Sequence, residues 1–390
     1  MSVKSGAQDR LDGIKDDLIA LSRRIHDNPE LGYEEEKASG WLADMLDGAG
    51  FKVERGICDL PTAFKATIGS GPLHIAVCAE YDALPSIGHA CGHNVIAASS
   101  VGAALAAAAV ADDVGLTISV IGTPAEEILK TGGKILLLDR GAFDGIHAAM
   151  MAHPAPWDVA MWPIVAASFF EVHYTGKAAH AAGFPDKGVN AADAITIAQT
   201  SIGLLRQHLR QSDRVHGIVT KGGDAFNIIP ADTSADFAVR ARTLDDLSDV
   251  YEKVMRCFEA GALATGATLE IVGGDKPFAH MEDDIDMAAF YQANAEVLGR
   301  KFPAPGGPSP ATPVSTDMGN VSLVLPSIHP ALGIDCLPAV NHQPEFADAT
   351  ITPAAEQAIY DGALSLAWTA IDMASTPAIC DRLLAGRGGR

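Results

Sequence analysis

Cys91-Gly92-His93 sets a thiol and an imidazole two residues apart, and two further groups of metal-binding side chains hold the same position relative to an apolar run. Residues 75–79 are apolar and lead to Glu80, Asp82 and then Cys91 and His93. Residues 117–121 lead to Thr123-Pro124-Ala125-Glu126-Glu127, and residues 148–152 lead to His153-Pro154. Each run predicts a strand. In parallel α/β sheets ligands sit outside the carboxyl ends of the strands, where the following loops converge. Three such strands would bring a thiol, two imidazoles and two carboxylates to one rim, a mixture that suits zinc or a similar divalent ion. A dication there would hold Cys91 as thiolate. The positive end of a helix starting near Asn94 would favour the same anion. Most of the 13 histidines must be ordinary core or surface residues. Their shared place after strands sets His93 and His153 apart.

Glu126-Glu127 taken alone is an ordinary dipeptide that reads as a solvated helix start. At a strand end beside metal ligands it reads differently: one carboxylate on a metal, the other on a water. A metal lowers the pKa of bound water from about 15.7 toward roughly 7, and a free carboxylate can then take the proton. The resulting acid can return it to a leaving amine. Hydrolysis of an amide needs these parts and no organic cofactor.

These loops need a scaffold, and a chain of 390 residues predicts two domains. Apolar positions Leu11, Ile14, Leu18 and Leu21 give helical spacing, Asn28-Pro29 interrupts it, and a second helix runs up to Gly48 and Gly50. Strand and helix patterns then alternate to about Pro156, as in a βαβ sheet layered by helices. From residue 166 the order becomes strand (166–174), helix (189–209), strands (214–221 and 233–242), helix (244–264) and strand (268–272). That βαββαβ order is a two-layer unit of the ferredoxin-like type. After Gly273-Gly274 come a helix, a Pro/Gly-rich loop at 302–313, a strand at 321–325 and a terminal helix from Pro353. The smaller unit reads as an insertion. This gives a catalytic domain in two parts, 1–161 and 276–390, around residues 162–275.

The net charge of −21 argues against nucleic acid, which needs a basic face, and against an anionic membrane surface. Residues 1–16 lack the apolar core of a signal peptide. The alanine-rich run 95–111 falls short of the roughly 20 strongly apolar residues of a membrane span and predicts a buried helix instead. Six widely scattered cysteines point to a reducing cytoplasm and not to a disulfide scaffold.

These motifs together resemble the aminoacylase, hippurate hydrolase and indole-acetyl-amino-acid hydrolase family of dinuclear metallopeptidases. The resemblance covers nearly the whole chain. It starts at Arg23-Arg24-Ile25-His26 with Asn28-Pro29-Glu30-Leu31-Gly32, and runs through Asp82-Ala83-Leu84-Pro85 and His89-Ala90-Cys91-Gly92-His93-Asn94. It continues with Glu126-Glu127, His153-Pro154, Gly176-Lys177-Ala178-Ala179-His180 and Asn227-Ile228-Ile229-Pro230, and ends at Asn341-His342-Gln343-Pro344-Glu345-Phe346.

The resemblance implies a zinc-peptidase-like α/β catalytic domain with a central mixed sheet covered by helices, and an inserted lid that also forms a homodimer. It implies two divalent ions (zinc or manganese, or else cobalt or nickel) bridged by Cys91. Glu127 and His342 would complete one ion's protein ligands, His93 and His153 the other's. His342 rests on the resemblance alone. Glu126 becomes the general acid/base, and Asp82 orients a histidine ligand. His180 polarises the scissile carbonyl, in cis or across the dimer. Asn227 and Arg240 match substrate-holding positions. A guanidinium suits a carboxylate, although Arg240 also reads as a strand-end surface charge.

Two departures narrow the branch. Glu80 stands where many relatives have the histidine of His-x-Asp, consistent with use of the Cys-x-His pair instead. Asn94 replaces an aspartate, and Ser315-Thr316-Asp317-Met318-Gly319-Asn320-Val321-Ser322 replaces a Glu-Asp-Phe motif. Both bring the chain nearer to the p-aminobenzoyl-glutamate hydrolases and cytosolic β-alanyl-dipeptide hydrolases. Asp317 and His329 then face the substrate or else stabilise loops. The expected function is metal-dependent cleavage of N-acyl or aroyl amino acids or small dipeptides by attack of a metal-bound water. The competing readings are a non-catalytic dimeric metal- or amide-binding protein and a mononuclear deacetylase. An unligated acid/base such as Glu126 is of no use to a binding protein.

Overall fold

The computed structural model describes residues 2–304 and 309–386, so residues 305–308 of the expected 302–313 loop lie outside the described residues. Three helices open the chain, Val3–Asp12, Lys15–His26 and Glu36–Gly48. Ser2 caps the first, accepting from the Ser5 N–H. Leu18, Leu21 and Ile25 fall on one buried stripe of the second.

The strands are β1 (Lys52–Arg55), β2 (Phe64–Gly69), β3 (Leu73–Ala79), β4 (Leu116–Gly122), β5 (Ala148–Met150), β6 (His153–Ala155), β7 (Ala166–Thr175), β8 (Arg214–Lys221), β9 (Asp232–Ala241), β10 (Thr268–Gly273), β11 (Ser327–Ile328) and β12 (Ala331–Gly333). The main sheet is mixed, ordered β1-β2-β4-β3-β5-β11. β4, β3, β5 and β11 run parallel, and β1 and β2 add an antiparallel edge. β3 and β4 are apolar because both their faces are covered, as parallel strands require.

The alanine-rich segment forms the helix His93–Ala108, buried along almost its whole length. It lies under the helix Pro353–Ser375, whose small residues permit the approach: a Cβ on Gly102 would stand 2.9 Å from the Ala363 Cβ. The site's helix is therefore fixed on all sides by packing. Among the described residues no helix is long and apolar enough to cross a membrane.

The expected βαββαβ order is present. β7, β8, β9 and β10 form an antiparallel sheet ordered β10-β7-β9-β8, and the helices Ala191–Leu205 and Leu244–Thr265 pack against it over a separate core. A small cluster of Ile135, Ala167, Phe169, Ala238 and Phe278 joins this unit to the rest.

One expectation fails. Residues 321–325 are not a strand: the helix Met318–Val324 occupies them, and the strand that pairs with β5 is β11, two residues beyond. Met318, Val321 and Ser322 are buried at helical spacing. A short apolar run carries no periodicity that separates a strand from a buried helix.

Candidate active site

β4, β3 and β5 end side by side, and the loops that follow them carry the chemistry. Gly92 has φ +85, and a Cβ there would stand 2.4 Å from Pro154 Cγ. Only glycine allows Cys91 and His93 to flank this turn while His153-Pro154 packs against it. Asp82 ties two loops together: Oδ1 accepts from His93 Nδ1 at 2.8 Å, and Oδ2 accepts from the Glu127 N–H at 2.9 Å. His93 therefore presents Nε2 to the centre. His153 does the same, its Nδ1 lying 2.9 Å from the Pro154 carbonyl. His342 arrives from far along the chain with φ +69, anchored by its N–H on the Ala90 carbonyl at 2.8 Å. Asn341 holds the same loop, donating to the Pro154 carbonyl at 3.1 Å.

These residues converge. Donor atoms of Cys91, His93 and His153 lie within 4.8 Å of one another, as do those of Cys91, Glu127 and His342, and those of His93, Glu126 and Glu127. Cys91 belongs to two of the groups. Buried His93 Nε2 and Glu127 Oε1 have no hydrogen-bond partner. Orphaned atoms of this kind are costly unless a cation takes them. A thiol, imidazoles and carboxylates so arranged fit divalent metal ions. His153 Nε2 lies 3.5 Å from Cys91 Sγ, and His342 Nε2 lies 3.4 Å from Glu127 Oε1.

The protein's own surroundings bias Cys91, Glu126 and His153 toward their neutral forms, whereas His93 is raised and Glu127 lowered, both toward charge. Burial, then the charge of Glu127, pushes the Cys91 thiol well above its ordinary range. Burial, reinforced by Glu80 and Glu127, raises the Glu126 carboxyl well above the usual carboxylate value. Burial lowers His153 to about 3. A bound dication reverses this logic for the thiol, which it holds deprotonated.

A cavity of about 650 Å³ opens over the centre, lined by Cys91, Glu126, Glu127, His153 and His342, with Leu84, Leu129, Trp162 and Phe169 as apolar walls. Arg240 reaches it from β9, stacked near Phe169 and bonded to Ser315 Oγ at 2.7 Å. His329 lines the wall beside Trp162, fully buried, with neither ring nitrogen bonded.

Asp317 is different. Its two oxygens accept from the Lys134 Nζ at 2.6 Å and the Lys134 N–H at 2.8 Å, and it is not among the residues lining the cavity. His180 and Asn227 are exposed on the inserted unit and do not line the cavity of their own chain. The Ala182 and Gly183 N–H groups donate to His180 Nδ1, which leaves its Nε2 as the N–H donor.

Two positioning residues escaped the sequence reading. Glu35 is fully buried and accepts from the Ala125 N–H at 2.8 Å, holding Ala125 at φ +59 just before the Glu126-Glu127 pair. Burial, with Asp82 nearby, raises its carboxyl to about 7. Lys134 is the other, fully buried and paired with both Glu80 and Asp317. A lone lysine opening the apolar stretch Ile135-Leu136-Leu137-Leu138 was the available signal for it.

A family model described as a peptidase dimerisation domain matches residues 167–265. The chain is 38% identical to the Xaa-Arg dipeptidase of Mus musculus over 396 residues, covering 97% of this chain and 90% of that protein. It is 32% identical to a p-aminobenzoyl-glutamate hydrolase chain of Escherichia coli (strain K12) over 274 residues, 64% of this chain and 56% of the relative. A crystal structure from Bacillus subtilis, described as a dinuclear metal-binding peptidase of the M20 family, superposes with a TM-score of 0.70 at 21% identity, covering 94% of this chain and 99% of that one. The chain thus belongs to the M20 peptidase family, within the aminoacylase and hippurate hydrolase group of dinuclear metallopeptidases, and is a metal-dependent amidohydrolase.

Proposed function

We propose that the protein is a dipeptidase-like hydrolase working as a homodimer on small dipeptides and related N-acyl amino acids. One observation carries the reading: Cys91 belongs to two donor groups at once, with the Glu126 carboxyl beside them. Cys91 would bridge two ions, with Glu127 and His342 on one and His93 and His153 on the other. Such ions, zinc or manganese, supply Lewis acidity and make water a nucleophile at neutral pH. The chain's own residues do the rest. Glu126 takes the proton from the attacking water and passes it to the leaving amine nitrogen. Asp82 fixes His93 in one tautomer and orientation. Arg240 offers its guanidinium to the carboxylate of the amino-acid part, while Leu84, Leu129 and Trp162 exclude water around the scissile amide.

Residues 162–275 would serve as lid and dimer interface between catalytic parts 1–161 and 276–390. Supporting this, β8 is an edge strand with Ile218 and Val219 exposed, and the dimerisation-domain match covers it. His180 of the partner subunit would then donate its Nε2–H to the carbonyl oxygen, with the partner subunit's Asn227 close to the substrate. All six cysteines are free, which supports a reducing, cytoplasmic setting.

The Xaa-Arg dipeptidase relative makes dipeptides ending in a basic residue the leading candidates, and the net charge of −21 favours their approach. The test is amine release by the zinc- and manganese-loaded protein from Xaa-Arg dipeptides, p-aminobenzoyl-glutamate and N-acetyl amino acids. Turnover of the dipeptides at the highest kcat/KM is expected. No amine release from any of the three classes would reject the reading. Mixing Glu126→Gln chains with His180→Ala chains tests the dimer: heterodimers should regain one working site if His180 acts in trans.

A further inference from the structure

We propose that Glu80 is a further protein ligand of the ion that His93 holds, its Oε2 presented to that ion by the Lys134–Asp317 pair. Glu80 directly follows β3, at the carboxyl end of the sheet's central strand, and has no exposure to water. Its Oε1 is taken by the Lys134 ammonium, while Oε2 has no hydrogen-bond partner. A fully buried carboxylate oxygen left bare is costly, so its surroundings should contain a cation. The atom it faces is His93 Nε2, 3.4 Å away and equally without a partner. The other ring nitrogen of His93 is occupied by Asp82, so Nε2 is the one aimed at the centre.

The separation is informative. A hydrogen bond between these atoms would close to about 2.9 Å. Two atoms bound to one zinc ion at about 2.0–2.2 Å and a tetrahedral angle stand about 3.4 Å apart. The centre's other facing donors have the same spacing, 3.5 Å for Cys91 Sγ and His153 Nε2 and 3.4 Å for His342 Nε2 and Glu127 Oε1.

Lys134 does not cancel this charge, because Asp317 shares it: two carboxylates around one ammonium leave one negative charge to offer a cation. Lys134 is itself held, its N–H donating to Asp317 Oδ2 at 2.8 Å. The arrangement pins one oxygen of Glu80 and leaves the other pointing at the centre, which suits monodentate coordination.

The proposal rests on the reading that the centre holds metal ions, and the experiment separates the two. Zinc and cobalt(II) are titrated into the metal-free wild type and into Glu80→Gln, which preserves shape and leaves Lys134 paired with Asp317. Expected are an affinity loss of at least about tenfold at one site only and an altered cobalt visible spectrum in the variant. Unchanged isotherms and an unchanged spectrum, beside a wild type that binds the ions, would overturn the role of Glu80 alone. A wild type that takes up no ion overturns both readings. Should Glu80→Gln not fold, diffraction from the zinc-loaded wild type decides: Oε2 at about 2.0–2.2 Å from zinc supports the assignment, and a distance beyond about 3 Å overturns it.

Discussion

Gly92→Ala removes no chemical group, yet it should damage both stability and metal binding. The residue has φ +85, where an L side chain pays about 1–2 kcal/mol of backbone strain. The new Cβ would also stand 2.4 Å from Pro154 Cγ, 3.3 Å from Pro154 Cβ and 3.4 Å from Phe346 Cε1. The proline ring is rigid and Phe346 is fully buried, so neither yields cheaply. Forced overpacking of that kind typically adds about 1–3 kcal/mol. The sum is about 2–5 kcal/mol. Relief by movement of Pro154 would carry His153 away from Cys91 and His93. If about 2–3 kcal/mol is expressed in that way, ion affinity falls roughly 30- to 150-fold. Urea unfolding of the metal-free protein reads the first quantity, and calorimetric zinc titration reads the second. Gly40→Ala is the control. It lies inside the helix Glu36–Gly48 with nothing within 4 Å of its prospective Cβ, and should stabilise by about 0.5–1 kcal/mol. A Gly92→Ala protein with wild-type unfolding and wild-type zinc affinity would refute the reasoning.

Three further outcomes are expected. Glu126→Gln should retain its metal by elemental analysis while kcat falls about 10²–10⁴-fold, and near-normal turnover would remove Glu126 from proton transfer. Lys134→Met leaves Glu80 and Asp317 buried without their shared cation and should cost about 3–5 kcal/mol in urea unfolding; a change below about 1 kcal/mol would contradict the triad's structural role. His74 is lowered from 6.5 to about 4 by burial, with Lys65 and His147 nearby, so the unfolded chain binds its proton first. Its contribution to stability is complete above about pH 6.5 and is lost as pH falls toward 4, so His74→Gln should flatten the decline of metal-free stability across that window. An identical decline in the variant would exclude His74 as a source.

The strand-end positions of Cys91, His93, Glu127 and His153 were legible because each followed a short apolar run, and three such runs alternating with helical patterns fit a layered sheet. The buried helix His93–Ala108 was legible for a related reason: alanine-rich chain without charges packs tightly and cannot face water. The βαββαβ order followed from alternation in the same way. Residues 321–325 misled because four apolar residues and a serine fit a strand or a buried helix equally well, and packing of Met318, Val321 and Ser322 decided for the helix. Glu35 and Lys134 stayed hidden because burial of a charged side chain depends on partners remote in sequence, Ala125 and Thr62 for one, Glu80 and Asp317 for the other.

By itself the sequence determined the donor types, their order after parallel strands, and hence metal-assisted hydrolysis as the chemistry. These are local properties: residue identity and apolar periodicity. That Cys91 lies in two donor groups and that His342 joins Glu127 entered the sequence reading only through the family resemblance, and it is the tertiary structure that brings these atoms together. That Asp317 holds Lys134 behind the site and off the cavity wall was decided by tertiary structure alone. Those facts are distances between residues scores of positions apart. They are set by how helices pack on the sheet and loops cross its rim, and a linear pattern carries no record of either.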